Sequence, residues 1–215
     1  MNPSLSVRAR FEKFPATVKG AFILCGEDRD PHQVVVLQAR AVAVSGGEWR
    51  EVPVAATTLD VAPHRDVFVP FELVVADLES GWYGFELDLE LDGNPATFPG
   101  GRRFAVPWPR ATVRRGQIRV DRTVALGERA EVRVEHVDCG GDSTKLALEV
   151  EPPVPVQVRL LADGARLEIL EHEVDEASGR VKVTAYPLLR VHAILRIELK
   201  GRGRDAETSL DVRLP

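Results

Sequence analysis

The chain has 215 residues, of which 44% are hydrophobic and 28% are charged, and its formal net charge is −5. These values exclude an intrinsically disordered chain and allow one large or two ordinary folded domains. Because basic and acidic residues are intermixed, they indicate neither a nucleic-acid partner nor attachment to an anionic membrane surface. No segment has the length and apolarity of a membrane span, and residues 1–14 carry charges where a signal peptide needs an apolar run. We therefore expect a soluble, cytoplasmic protein.

Apolar and polar residues alternate in short segments along the whole first half, and helical periodicity is almost absent. Such segments, separated by Gly, Pro, Asp and Asn, are typical of antiparallel sandwiches and barrels. The clearest inward face is the run from Val67 to Val75. The strands predicted here are residues 4–11, 18–25, 33–44, 49–54, 66–75, 82–91 and 102–108.

The second half has the same pattern, with Asp163-Gly164 predicting a tight hairpin between two strands. From Val191 to Leu199 apolar residues alternate with charged ones, as expected for a strand with one wet face. The strands predicted here are residues 117–124, 130–137, 144–150, 156–162, 165–171, 180–186, 191–199 and 207–214.

Between the halves lies the segment PWPRATVRRG, residues 107–116, whose two prolines cannot donate to a sheet ladder. We therefore predict an N-terminal β-sandwich at 1–108, a linker at 109–116 and a C-terminal β-sandwich at 117–215. Each half has the size of an immunoglobulin-like sandwich, so the predicted fold is all-β, with two tandem immunoglobulin-like antiparallel sandwiches. A single larger β-structure is the alternative. The two cysteines, Cys25 and Cys139, fall in different predicted domains, which favours free thiols in a reducing compartment.

Residues 77–83 read Asp-Leu-Glu-Ser-Gly-Trp-Tyr, with a glycine two positions before Tyr83 at the start of a predicted strand. This arrangement resembles the tyrosine corner of immunoglobulin-like folds, in which the phenol bonds back to the preceding connection. The resemblance implies a fold and no function. It departs from the antibody pattern, because Cys25 has no partner cysteine near residue 85.

An acidic stripe follows Tyr83, because the strand alternates apolar and acidic residues: Phe85, Leu87, Leu89 and Leu91 share one face, and Glu86, Asp88, Glu90 and Asp92 share the other. Side chains at i and i+2 on a strand lie roughly 6.5–7 Å apart, too far for two carboxylates to chelate one ion easily. We expect a solvated sheet face, with docking of a cationic partner and metal binding as the alternatives. The expected counter-charges are Arg102 and Arg103 on the last strand and Arg8, Arg10 and Lys13 on the first.

Two further segments combine residue types that bind metals or catalyse reactions. The loop 25–32 contains Asp28, Asp30 and His32, which we name as a weak metal site, although the spacing is not that of an EF-hand. Residues 135–142 contain His136 and Cys139, but a nucleophilic thiol needs a group that lowers its pKa, and no helix is predicted there. We predict no catalytic residue and no cofactor.

The arginines at 110, 114, 115, 119 and 122 form the one local basic concentration. With Trp82 and Trp108, three of them give the predicted partner-binding residues: Trp82, Trp108, Arg110, Arg114 and Arg115. The favoured function is a non-catalytic interaction or scaffold protein that binds a protein partner through loops, edge strands or the interdomain junction. A glycan-binding sandwich that stacks a sugar on Trp49, Trp82 or Trp108 is the alternative, and a metal-binding protein or enzyme is less favoured.

Overall fold

The structure is a computed structural model, and it describes residues 5–55, 58–202 and 206–215. Within these ranges the chain forms seventeen β-strands and no helix, so the all-β prediction is confirmed. No helix that could cross a membrane is therefore present in the part of the chain that the structure describes. The chain divides into two compact units, Met1–Val106 and Pro107–Pro215.

The first unit packs two antiparallel sheets face to face. One sheet has the strand order β1-β2-β6, and the other has the order β4-β3-β7-β8, with β5 paired to the start of β3. Distribution of strands 1, 2 and 6 to one sheet and 3, 4, 7 and 8 to the other is the Greek-key arrangement of an immunoglobulin-like sandwich. The strands are β1 (Leu5–Lys13), β2 (Thr17–Gly26), β3 (His32–Ala43), β4 (Trp49–Glu51), β5 (Thr58–Val61), β6 (Asp66–Val74), β7 (Gly81–Leu91) and β8 (Asn94–Val106).

The period-two alternation sets which side chains fill the core of this unit. Leu87 and Leu89 are fully buried, and they pack with the apolar faces of β2, β3 and β6. Phe85 lies at the centre, with its ring near four other phenylalanine rings from β1, β2, β6 and β8. Because the acids alternate with these residues, they lie on the opposite side of the sheet.

The tyrosine corner is confirmed. The Tyr83 hydroxyl contacts the backbone carbonyl of Glu79, four residues upstream, at 3.2 Å. The same oxygen lies 2.5 Å from a carboxylate oxygen of Glu48, in the connection between β3 and β4. The phenol therefore ties two connections to the start of β7.

The second unit is also an immunoglobulin-like sandwich. Its sheets have the orders β14-β15-β11-β10-β9 and β13-β12-β16-β17. The predicted hairpin at Asp163-Gly164 is present, with positive φ at both residues, as a type I′ turn requires. The strands are β9 (Gly116–Leu126), β10 (Ala130–Cys139), β11 (Thr144–Glu151), β12 (Gln157–Ala162), β13 (Ala165–Leu167), β14 (Ile169–Asp175), β15 (Arg180–Ala185), β16 (Ile194–Lys200) and β17 (Glu207–Arg213).

The cut between the units falls after Val106, whereas the prolines predict the first domain to end at residue 108. Within the second unit, Val113 bridges to Leu189, and the Arg114 amide donates to the Leu188 carbonyl at 2.8 Å. Residues 113 and 114, predicted to be linker, thus hydrogen-bond inside that unit. The predicted boundaries 1–108, 109–116 and 117–215 stay a prediction.

Candidate functional site

Arg114 belongs to the basic segment predicted to bind a partner, but it hydrogen-bonds to the backbone of its own unit. Its guanidinium donates to the carbonyls of Arg190 at 3.2 Å and His192 at 2.9 Å, and to the carbonyl of Pro215. These carbonyls lie before β16 and after β17, so Arg114 joins the two ends of that hairpin. Arg110 and Arg115 are exposed.

Replacing Arg114 with alanine is therefore expected to destabilise the second unit by about 1–3 kcal/mol, because three carbonyls lose a charged donor. Arg115→Ala, one residue along and exposed, is the matched control and should change the free energy of unfolding by less than about 0.5 kcal/mol. Urea unfolding of the full chain measures both. Equal small effects would show that Arg114 has no structural role.

The two tryptophans predicted to bind a partner lie in different units. Trp108 is half-buried and packs edge-to-face on Tyr186, with ring centroids 5.7 Å apart. Trp82 lies on β7 and is half-buried on the outward side of its sheet, opposite in phase to the buried Tyr83. The five predicted residues therefore do not form one cluster within either unit.

The predicted metal loop contains a histidine that is already engaged. His32 is only 7% exposed, and its Nδ1 lies 2.6 Å from Asp92 Oδ2 while its Nε2 lies 2.8 Å from Asp28 Oδ1. A doubly protonated ring donates both bonds and presents no lone pair to a cation. Among the described residues, no group of three or more His, Cys, Asp or Glu side chains could hold a metal ion. Metal binding by Asp28, Asp30 and His32 stays a prediction.

The hydrogen bond that His32 donates to Asp92 raises the pKa of His32 above its ordinary value, and burial opposes this effect. The pKa of Asp92 is lowered, first by His32 and then by the Gln33 amide, which donates to it at 2.9 Å. His32 begins β3, Asp28 lies before it, and Asp92 lies in the turn between β7 and β8. His32 thus connects the loop between β2 and β3 to the turn between β7 and β8 at one end of the first sandwich.

The two cysteine thiols have raised pKa values, whereas a nucleophilic thiol has a lowered one. Burial raises the pKa of Cys139 and that of Cys25, so little thiolate forms near neutral pH. His136 continues the inward phase of Val132 and Val134, which predicts a place at the rim of the core. A bulge between Val134 and His136 shifts the phase there, and the half-buried imidazole contacts Asp138 at 3.0 Å.

The acidic stripe pairs with an arginine that the sequence does not single out. Arg40, on β3, lies 3.3 Å from Glu86 and 2.8 Å from Asp88. The expectation that the first strand supplies these cations is wrong, because β1 belongs to the other sheet, where Arg8 pairs with Asp66. Arg102 stacks on the Phe11 ring at 4.9 Å.

One end of the same outward surface carries two indoles. Trp49, on the edge strand β4, is 52% exposed and lies opposite Val42, which lies opposite Gly84 on β7. Trp82 is two residues from Gly84 on the same side, so strand geometry places the two tryptophan Cα atoms roughly 12 Å apart. We call the surface formed by Trp49, Val42, Trp82 and Gly84 the tryptophan face.

The tryptophan face has no side chain at its centre. A Cβ added to Gly84 would meet no atom within 4 Å, so the position between Val42 and Arg103 is empty space. Its neighbours on the outward side are Trp82 and Glu86 along β7, with Val42 and Arg103 on the strands beside it. Among the described strands of this sheet, the charged residues of that side are Glu51, Asp60, Glu86, Asp88 and Glu90 against Arg40 and Arg103, an excess of three negative charges.

Comparisons with known proteins add no function. No family model matches this chain, and no curated protein matches it. A solved structure described as a conserved domain protein from Bacillus anthracis is 13% identical, with 100% of this chain and 89% of that chain covered at a TM-score of 0.35. A marsupial T cell receptor is 11% identical, with 99% and 62% covered at a TM-score of 0.27. Similarity at this level carries no argument about what the chain binds.

Proposed function

We propose that the chain is a non-catalytic interaction protein that binds a protein partner on the tryptophan face of its first unit. The observation that carries the proposal is the exposed indole of Trp49 beside the open position over Gly84. Tryptophan and arginine are enriched among residues that dominate binding energy, and exposed apolar patches mark interaction sites.

The charges of the surface define the partner. The described strands place five carboxylates and two guanidinium groups on the outward side of this sheet, and Arg40 lies between Glu86 and Asp88. A partner segment with lysine or arginine side chains complements this excess, and an aliphatic or aromatic side chain fills the space over Gly84. The partner is therefore a basic protein surface with an apolar anchor.

Two substitutions test this surface without disturbing the core. Trp49→Ala removes the exposed indole, and Gly84→Leu puts a bulky side chain at the open position, where its Cβ meets no atom within 4 Å. Phe68→Ala is the matched control, because Phe68 is 56% exposed on the outward side of the other sheet. All three should change the free energy of unfolding by less than about 0.5 kcal/mol.

Affinity capture from a lysate of the native organism, with quantitative mass spectrometry, is the measurement. The wild type and Phe68→Ala should recover the same basic protein, and Trp49→Ala and Gly84→Leu should recover about tenfold less or lower, as for a hot-spot residue. Equal recovery by all four proteins would contradict the proposal. Retention of a glycan that Trp49→Ala loses would instead support the ligand-binding alternative.

We also propose the cytoplasm as the compartment. Cys25 and Cys139 are free thiols in different units. Free thiols, one of them buried, are typical of proteins in reducing compartments. Fractionation of the native organism tests this, and recovery outside the cytoplasmic fraction would contradict it.

A further inference from the structure

The second unit contains a cavity that the proposed function does not use. Its volume is about 760 Å³, and side chains of β12, β13, β14, β16 and β17 line it. Sites for small molecules typically have volumes of about 300–1,000 Å³, so the space suffices for a compact organic ligand.

The walls of the cavity are mostly polar because strand register aligns outward side chains in two adjacent rows. Lys200 stands between Gln157 and Glu207 in one row, and Glu198 stands between Arg159 and Ser209 in the other. Leu167 and Ile169, where the chain passes from β13 to β14, supply an apolar side. A ligand of this cavity is therefore polar over most of its surface.

The charges of the cavity leave one cation without a counter-ion. Glu198 pairs with Arg159 at 3.4 Å, and Glu207 pairs with Lys200. Arg166 also lines the cavity, and its guanidinium makes no ion pair or hydrogen bond with any residue that the structure describes. Both carboxylates are neutralised, so the net charge available to a ligand is positive.

We propose that this cavity binds a small organic anion through Arg166. The planar guanidinium matches the two oxygens of a carboxylate or phosphate group, which it holds with paired hydrogen bonds. Gln157 and Ser209 supply hydrogen-bonding groups for the polar body of the ligand.

The test uses inorganic phosphate and citrate as probes, with sodium chloride at matched ionic strength. Isothermal titration calorimetry of the full chain should show saturable binding of at least one probe. Arg166→Ala should weaken that affinity about tenfold or more. Arg166→Lys should give an intermediate value, because lysine keeps the positive charge but lacks the planar guanidinium that donates two parallel hydrogen bonds. Arg213→Ala, an exposed arginine on β17 outside the cavity lining, should bind as the wild type does.

Absence of saturable binding by either probe, or equal affinity in Arg166→Ala, would overturn the proposal. Equal loss in Arg213→Ala would also overturn it, since that result assigns the effect to overall charge. A long polyanion that binds while both small probes fail would indicate a macromolecular partner instead. The cavity is independent of the proposed function: Trp49→Ala tests the first unit and should leave anion binding unchanged.

Discussion

Replacing Phe85 with alanine is expected to lower the free energy of unfolding of the first unit by about 3–5 kcal/mol. Phe85 is 2% exposed, and its ring centroid lies 5.4 Å from that of Phe11, 5.6 Å from Phe22 and 4.9 Å from Phe71, all in the facing sheet. It also lies 5.2 Å from Phe104 in its own sheet. The truncation therefore loses ring contacts with both layers and leaves a cavity between them.

The surroundings of Phe85 have little freedom to collapse into that cavity. A Cβ added to Gly100 would lie 2.8 Å from the Phe85 Cβ, so β8 already approaches this position as closely as a glycine permits. Urea unfolding measures the effect, with the exposed Phe68→Ala as control at less than about 0.5 kcal/mol. A cost for Phe85→Ala below about 1 kcal/mol would show that this ring does not join the two sheets.

Stability of the first unit is expected to fall as the pH rises from about 6 into the alkaline range, because of His32. The folded-state pKa of His32 is raised above its ordinary value of 6.5, chiefly by the bond to Asp92. A raised pKa means that the folded state holds the proton more tightly than the unfolded chain. The stabilisation is therefore fully present below about pH 6.5 and is lost as the pH passes the folded-state pKa.

Asp92 determines how the stability of the first unit changes at acid pH. Its pKa is lowered, so its contribution is present above the ordinary carboxyl range and is lost as the pH falls through the folded value. The His32–Asp92 pair should thus stabilise the first unit most between these two limits, near pH 5–6 by the ordinary values.

The variant His32→Asn tests the predicted loss of stability at alkaline pH, because asparagine keeps a hydrogen-bond donor toward Asp92 and does not titrate. Hydrogen exchange of β3 amides, read at pH 6 and pH 8.5 with correction for intrinsic rates, reports the stability of the first unit. The wild type should lose protection between these values and the variant should not. The exposed His172→Asn in the second unit should leave the loss unchanged. An NMR titration midpoint for His32 at or below 6.5 would contradict this account.

Much of the architecture follows from the placement of apolar residues. Alternation from Phe85 to Leu91 predicts both the strand and its buried face, and Leu87 and Leu89 are fully buried. The glycine before Tyr83 predicts a corner whose phenol reaches the Glu79 carbonyl. These features are local, so a single segment of sequence contains the information.

In the first unit, the predicted strands omit β5 and include only part of β8, for physical reasons. β8 begins at Asn94, eight residues before the predicted start, because Pro95 and Pro99 argue against a strand. An edge strand tolerates both prolines, since one side of its backbone needs no ladder bonds. β5 spans only Thr58–Val61 and pairs with the first residues of β3, too short a segment for its alternation to be noticed.

The candidate surfaces depend on strand order, which local patterns do not contain. Trp49 and Trp82 are 33 positions apart in the chain, and only the pairing of β4 with β3 and of β3 with β7 brings them to one face. Arg40 reaches the acidic stripe for the same reason. His32 and Asp92 are 60 residues apart and meet only because β3 is the neighbour of β7.

Site-directed photocrosslinking in the native organism tests the tryptophan face most directly. A benzoylphenylalanine placed at position 51 lies beside Trp49 on the outward side of β4 and leaves the position over Gly84 open, and the same group at position 68 projects from the opposite sheet. The account predicts that position 51 captures a basic protein, that Trp49→Ala abolishes this crosslink, and that position 68 does not capture it. Capture of the same protein from position 68 alone, or capture at position 51 that survives loss of Trp49, would contradict the account.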